Sequence, residues 1–231
     1  MKKYWVMVIL MILFVEMVSA QTNYDLRQAM DLFKTNKMLR GDNRGLLTEN
    51  DIEGSPYLED DFINGSVYMT SKTQYVDVPL RYNIYNDQLE FKSDDNSVQA
   101  LAAPEMIEKV EFGKYKMVYI PYSAAKKIRH GFFIVLEEGK SSLYEKPKVM
   151  FKQPTEPGAY KEAEPAKFVK SADEYYIGVE NSQAKLAGSK KDMVEIFPDH
   201  QKQIETFIKK HNVKSNKPET LKELVQYYNS L

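Results

Sequence analysis

Between Tyr75 and Tyr85, apolar and polar side chains alternate one for one. Val76, Val78, Leu80, Tyr82 and Ile84 fall on one face of an extended chain. Tyr75, Asp77, Pro79, Arg81, Asn83 and Tyr85 fall on the other, because successive Cβ atoms of a strand point to opposite sides. The first face is expected against a core and the second in water, as in a one-sided antiparallel sheet. Asn86-Asp87 has the chemistry to reverse the chain. Leu89 and Phe91 then resume the alternation against Gln88, Glu90 and Lys92, so the stretch predicts a β-hairpin. Pro79 cannot donate a ladder hydrogen bond and favours an edge or a bulge.

Short strands with turn residues between them are predicted on both sides of this hairpin. Phe62 to Thr70 precedes it. Val98–Ala100, Ile107–Phe112, Tyr115–Tyr122, Phe132–Leu136 and Leu143–Phe151 follow, with further strands at Lys167–Lys170 and Glu174–Val179. Gly113-Lys114 and Glu138-Gly139-Lys140 read as turns, and Phe132–Leu136 is apolar enough for a strand buried on both faces. Beyond Gly188 the period changes. Ser189 to Asp192 fits a capping box, with Met193, Ile196 and Phe197 on one face of the helix that follows. Pro198 stops that helix, and Asp199 is placed to cap the next, which carries Ile204, Phe207, Ile208 and His211. Pro218 suits the first turn of another helix, in which Leu221, Leu224, Val225 and Tyr228 recur at i, i+3, i+4 and i+7. The fold class expected is α+β: a mainly antiparallel β-sheet, as a sandwich or partly closed barrel, followed by about three C-terminal amphipathic helices.

The start of the chain has a different pattern. Lys2 and Lys3 precede an apolar run from Tyr4 to Val15, and Val18-Ser19-Ala20 offers small residues for cleavage. This is the layout of a secretory signal peptide, and the run is shorter than the roughly 20 residues a spanning helix needs. The organisation expected is a signal peptide at 1–20, an N-terminal helix or arm with a linker at 21–53, a β-rich domain at 54–188, and a helical segment at 189–231 packed on it. The protein is then periplasmic or secreted, with no transmembrane span after cleavage. With no cysteine in the chain it has no lipid anchor on that residue and no disulfides.

Charge narrows the choice of partner. Loss of Lys2, Lys3 and Glu16 takes the 32 basic and 33 acidic side chains to 30 and 32, a net charge of −2. That balance, with Arg27, Arg40, Arg44, Arg81 and Arg129 as the only arginines, argues against nucleic acid. His130, His200 and His211 are not at zinc-ligand spacing. Ser93-Asp94-Asp95-Asn96 lacks the glycine and distal glutamate of a calcium loop, so neither a metal nor any other cofactor is expected. The chain has no Gly-x-Ser-x-Gly elbow and no phosphate-binding glycine loop. Asp60 with Asp61, and Glu137 with Glu138, read as turn charges. The 16 tyrosines fit strand surfaces and core better than sugar platforms, because cleavage removes the only tryptophan, Trp5.

Gly54-Ser55-Pro56-Tyr57-Leu58, the string Val78-Pro79-Leu80-Arg81-Tyr82-Asn83-Ile84-Tyr85 and the terminal Tyr227-Tyr228-Asn229-Ser230-Leu231 resemble an uncharacterised family of exported proteins from Bacteroidota-type bacteria. The resemblance runs from about Gly54 to Leu231. It implies a periplasmic or cell-envelope protein and implies no activity or catalytic residue.

The function expected is a non-enzymatic binding or scaffold module of the envelope with a protein partner. Arg81, Asn83 and Tyr85 are its candidate exposed recognition surface, or else an ordinary strand face on which Arg81 pairs with a neighbouring acid. An exposed sheet edge is the other candidate. Two further classes stay open: a carboxylate-based hydrolase, with acids from separate strands meeting in a cleft, and a carrier of a small apolar ligand inside a partly closed sheet.

Overall fold

The alternating segments form one antiparallel sheet of ten strands in the order β10-β9-β8-β7-β6-β5-β1-β2-β3-β4. The computed structural model describes residues 52–231 except 94, 126, 156, 158–161 and 181. The expected signal peptide and most of the expected arm therefore lie outside the described residues. The strands are β1 (Ile63–Met69), β2 (Gln74–Asn83), β3 (Gln88–Lys92), β4 (Val98–Ala100) and β5 (Ile107–Phe112), then β6 (Tyr115–Ala124), β7 (Lys127–Glu137), β8 (Ser141–Lys152), β9 (Lys167–Val179) and β10 (Lys185–Leu186). Three helices follow: α1 (Lys190–Ile196), α2 (Gln201–Lys210) and α3 (Pro218–Asn229). The fold is α+β, a curled antiparallel sheet with the helices after it.

The curl comes from a return contact. The Ser123 N–H donates to Ala184 O at 2.9 Å and the Ala184 N–H to Pro121 O at 3.0 Å, which ties the residue just before β10 to β6. Strands β6 to β10 thus form a half-barrel around Phe133, Tyr176 and Ala184, with Val118, Ile120, Tyr122 and Tyr144 packed against them. The other face of the sheet carries two more clusters. One gathers Val67, Leu80, Tyr82, Leu89, Val110, Phe112, Met117, Phe132 and Ile134. The second joins Leu143, Tyr175, Ile177 and Val179 to the helices through Met193, Phe197, Ile204, Ile208 and the buried face of α3.

The helices follow the sequence signals with one exception. Ser189 and Asp192 form the capping box, and Leu221, Leu224, Val225 and Tyr228 are all fully buried. The cap of α2 is His200 at φ +55, without a side-chain cap bond. Asp199, expected there, instead accepts from the Tyr228 hydroxyl at 2.6 Å and ties α3 to the start of α2. At the same end of α3, the adjacent Asn229 acts like a strand partner for Ser141: its Oδ1 accepts from Ser141 N at 2.7 Å and its Nδ2 donates to Ser141 O at 3.0 Å. The two strands expected at Lys167–Lys170 and Glu174–Val179 are one strand. The register against β8 slips there from Lys146 opposite Glu174 to Lys148 opposite Ser171. That bulge absorbs the break in pattern at Ala172-Asp173.

Candidate functional site

The hairpin forms as the alternation predicts, but its polar face is not open. Asn83 is 2% exposed, and the Arg81 side chain retains 16% exposure. The cover is the Gly54–Leu58 segment, which runs along the end of β2 as an added strand. The Leu58 N–H donates to Tyr82 O at 3.0 Å, and the Ile84 N–H to Pro56 O at 2.8 Å. Gly54 sits at φ +74, and a Cβ there would lie 2.4 Å from Phe168 O, so this segment needs glycine to pass β9. Arg81 lies over the rings of Tyr57 at 3.5 Å and Phe62 at 4.3 Å and donates to Glu90 at 2.8 Å. Asn83 donates to the other oxygen of Glu90 at 3.1 Å and accepts from the Asn86 N–H at 3.0 Å. Tyr85 turns onto Phe168 and Phe151, with centroids 5.4 and 6.5 Å away. The expected exposed recognition surface is thus corrected: Arg81 pairs with a neighbouring acid, Asn83 orders the turn, and Tyr85 anchors the turn on β8 and β9.

The first half of β2 departs from the pattern in the other direction. Val76 is 60% exposed although the alternation puts it inward. The register against β1 slips between Gly65 opposite Val78 and Val67 opposite Tyr75, with Asp77 at φ +54. This bulge reverses the phase, so that Tyr75 rather than Val76 lies opposite the buried Val67. Pro79 meets its expectation. β3 pairs only with Leu80 to Asn83, which leaves Pro79 in a segment paired on one side, next to a bulge.

The hairpin turn carries the group around which the most polar contacts gather. β7 pairs with β8 only from Ile134 onward, and the two strands separate at Phe132. Asp87, brought into this fork by the turn, accepts from the Phe132 N–H at 3.1 Å and from the Tyr82 hydroxyl at 2.7 Å. Its other oxygen meets Lys146 Nζ at 2.6 Å. Lys146 donates to Phe132 O at 2.8 Å, and its ammonium lies 4.9 Å from the Phe133 ring centre. Two side chains therefore take the place of a strand for Phe132. Gly131 leaves the room: a Cβ there would lie 2.4 Å from Asp87 Oδ2 and 2.8 Å from Lys146 Nζ. Burial pushes the Lys146 ammonium below its ordinary range, against the pull of Asp87. Burial also lifts the Tyr82 hydroxyl well above its ordinary range, helped by Asp87. Every group in this clasp has a partner inside the fold, so its chemistry is that of a fastener.

Below the clasp, Phe133 packs on Tyr122, Tyr144 and Tyr176 with ring centres 5.1 to 6.1 Å apart. These rings pack together inside the half-barrel, with Val118 and Ile120 against them. A separate pairing of acids lies on the opposite sheet face. Glu145 of β8 meets Asp173 of β9, and its carboxyl is pushed up to about 7, first by burial and then by the charge of Asp173 and the hydrogen bond between them. Sequence reasoning missed this pair because its members are 28 positions apart, and only the pairing of β8 with β9, Glu145 opposite Tyr175, puts Asp173 beside Glu145. Among the described residues, no group of three or more His, Cys, Asp or Glu side chains could hold a metal ion. Nor, among them, is any helix long and apolar enough to cross a membrane.

Comparison with family models, with curated proteins and with solved structures finds no match to this chain.

Proposed function

We propose that the chain is an exported envelope protein acting as a non-enzymatic binding or scaffold module, which offers strand edges to an extended segment of a partner protein. The observation that carries this reading is the location of the exposed apolar side chains. Among the described residues, six of the eight large ones, Tyr75, Val76, Val98, Ile128, Met150 and Leu186, lie on strand segments paired on one side only. An edge of this kind presents backbone donors and acceptors beside apolar side chains, the two elements of recognition by strand addition. Ile128 and Met150, 63% and 53% exposed, lie on the diverging parts of β7 and β8. The signal-like start of the chain and the family resemblance support the envelope.

A photo-crosslinking residue at Ile128 or Met150, expressed in the native host, is expected to give one dominant protein adduct. The same residue at Lys191, on the outside of α1, is the control. Adducts indistinguishable between strand and helix positions would remove this reading.

A second reading, a carboxylate-based hydrolase, is favoured by the Glu145–Asp173 pair, since an acid near neutrality can give and take a proton at working pH. The pair has a stability signature of its own. Glu145 titrates at about 7 in the folded chain, against an ordinary 4.5. The folded state therefore holds a proton that the unfolded state has released between those values. Stability falls as pH rises through that window and levels off above it. Glu145→Gln keeps a neutral donor beside Asp173. It is expected to flatten thermal stability between pH 5 and 8, and to raise it at pH 8, relative to the native chain. Unchanged pH dependence would mean the carboxyls do not share a proton. Loss of a hydrolytic activity in this variant, with the fold retained, would turn the assignment to catalysis.

A further inference from the structure

The helical end of the molecule has a second surface, independent of the strand edges. His211 stacks on Phe207 with ring centres 4.1 Å apart and planes at 10°. Tyr227 of α3 stacks on Phe207 at 4.4 Å and 13°. This stack of three rings lines a groove of about 420 Å³ together with Lys202, Gln203, Thr206 and Lys210.

The groove follows from helical spacing. Lys202, Thr206 and Lys210 succeed one another at i, i+4 and i+8 along α2, and Gln203, Phe207 and His211 make the adjacent row. Residues four apart lie above one another on a helix, so one row is cationic and the other is polar and aromatic. The two lysines are separated by about 12 Å at 1.5 Å per residue.

The charge of the groove is one-sided. Its lining holds two lysines and a histidine and no carboxylate. The nearest acid in sequence, Glu205, is held by Lys209 at 2.6 Å, on another side of α2. Among the described residues neither Lys202 nor Lys210 has an ion-pair partner, whereas Lys140, Lys146, Lys148 and Lys222 each do.

From this geometry we infer that the α2–α3 groove binds an acidic peptide segment of a partner protein, carboxylates meeting Lys202 and Lys210 and an apolar side chain lying against Phe207 and Tyr227. A saccharide fits less well. Both faces of Phe207 are covered by other rings, so the middle of the platform has no open face on which a sugar could stack. A peptide uses the ring edges and the concave space instead, with the rim charges fixing its register.

The test is a selection of a displayed library of random peptides on the full chain, followed by calorimetry with the peptides enriched. Expected is a consensus with carboxylates flanking an apolar residue. Affinity should fall at least about tenfold on Lys202→Glu with Lys210→Glu, while the same charge reversal at the exposed Lys191 of α1, Lys191→Glu, leaves it unchanged. Both lysines are exposed helix positions, and an unaltered thermal melt of the double variant will show that the fold is intact. Enrichment without acidic residues, affinity indifferent to the charge reversal, or binding of uronate oligosaccharides in place of any peptide would overturn the assignment.

Discussion

Asp87→Ala lowers the stability of the folded chain by about 3–5 kcal/mol, the cost of removing one partner of a buried ion pair. The loss has several parts. Lys146, 12% exposed, keeps its charge requirement with no counterion. The Phe132 N–H and the Tyr82 hydroxyl each lose their acceptor, and an unpaired buried donor costs about 1–3 kcal/mol by itself. These parts overlap, so the sum is bounded by the whole rather than added. Lys146→Met in the same background should return part of the loss, because an apolar side chain does not need the missing carboxylate. Urea unfolding with an unchanged denaturant slope is the measurement. A loss below about 1 kcal/mol, the range of an exposed pair, would mean that the clasp does not hold the hairpin to the fork.

Phe133→Ala is expected to cost a similar amount, about 3–5 kcal/mol, through a different mechanism. Phe133 is fully buried and meets Tyr122, Tyr144 and Tyr176 edge-on. Those three rings come from three different strands and are tied down at their own positions, so they cannot collapse into the space left. Phe133→Leu should recover more than half of the loss. Near-equivalence of the alanine and leucine variants would indicate that the half-barrel relaxes around the void.

Much of this architecture is written in local pattern. The period of two at Tyr75–Tyr85 gave the hairpin, and the spacing of Leu221, Leu224, Val225 and Tyr228 gave the buried face of α3. What the pattern could not supply is contact between segments distant in sequence. Asn83 reads as a solvated strand residue, and it is buried because Pro56 to Leu58 returns along the strand end. Lys146 sits between Glu145 and Pro147 and reads as a surface lysine, because nothing local tells that a turn from another hairpin brings Asp87 to it. One signal was available. Gly131 directly precedes an apolar run, and glycine within a strand often marks a close approach by another group. Val76 was misplaced for the opposite reason: a single inserted residue reverses every side chain beyond it, and alternation alone does not reveal an insertion.

The clasp also bears on the order in which the chain can assemble. Phe132 and Lys146 are 14 residues apart and meet within one meander, whereas Asp87 reaches Phe132 across 45 residues. Loop-closure entropy puts the short-range partner first. The meander of β6 to β8 can therefore form with its fork still wet, the Lys146 ammonium solvated and the Phe132 N–H bonded to water. Arrival of the turn then expels that water and supplies the counterion in one step. The same step brings Tyr85 onto Phe151 and Phe168, so the fork dries as the hairpin turn docks on β8 and β9.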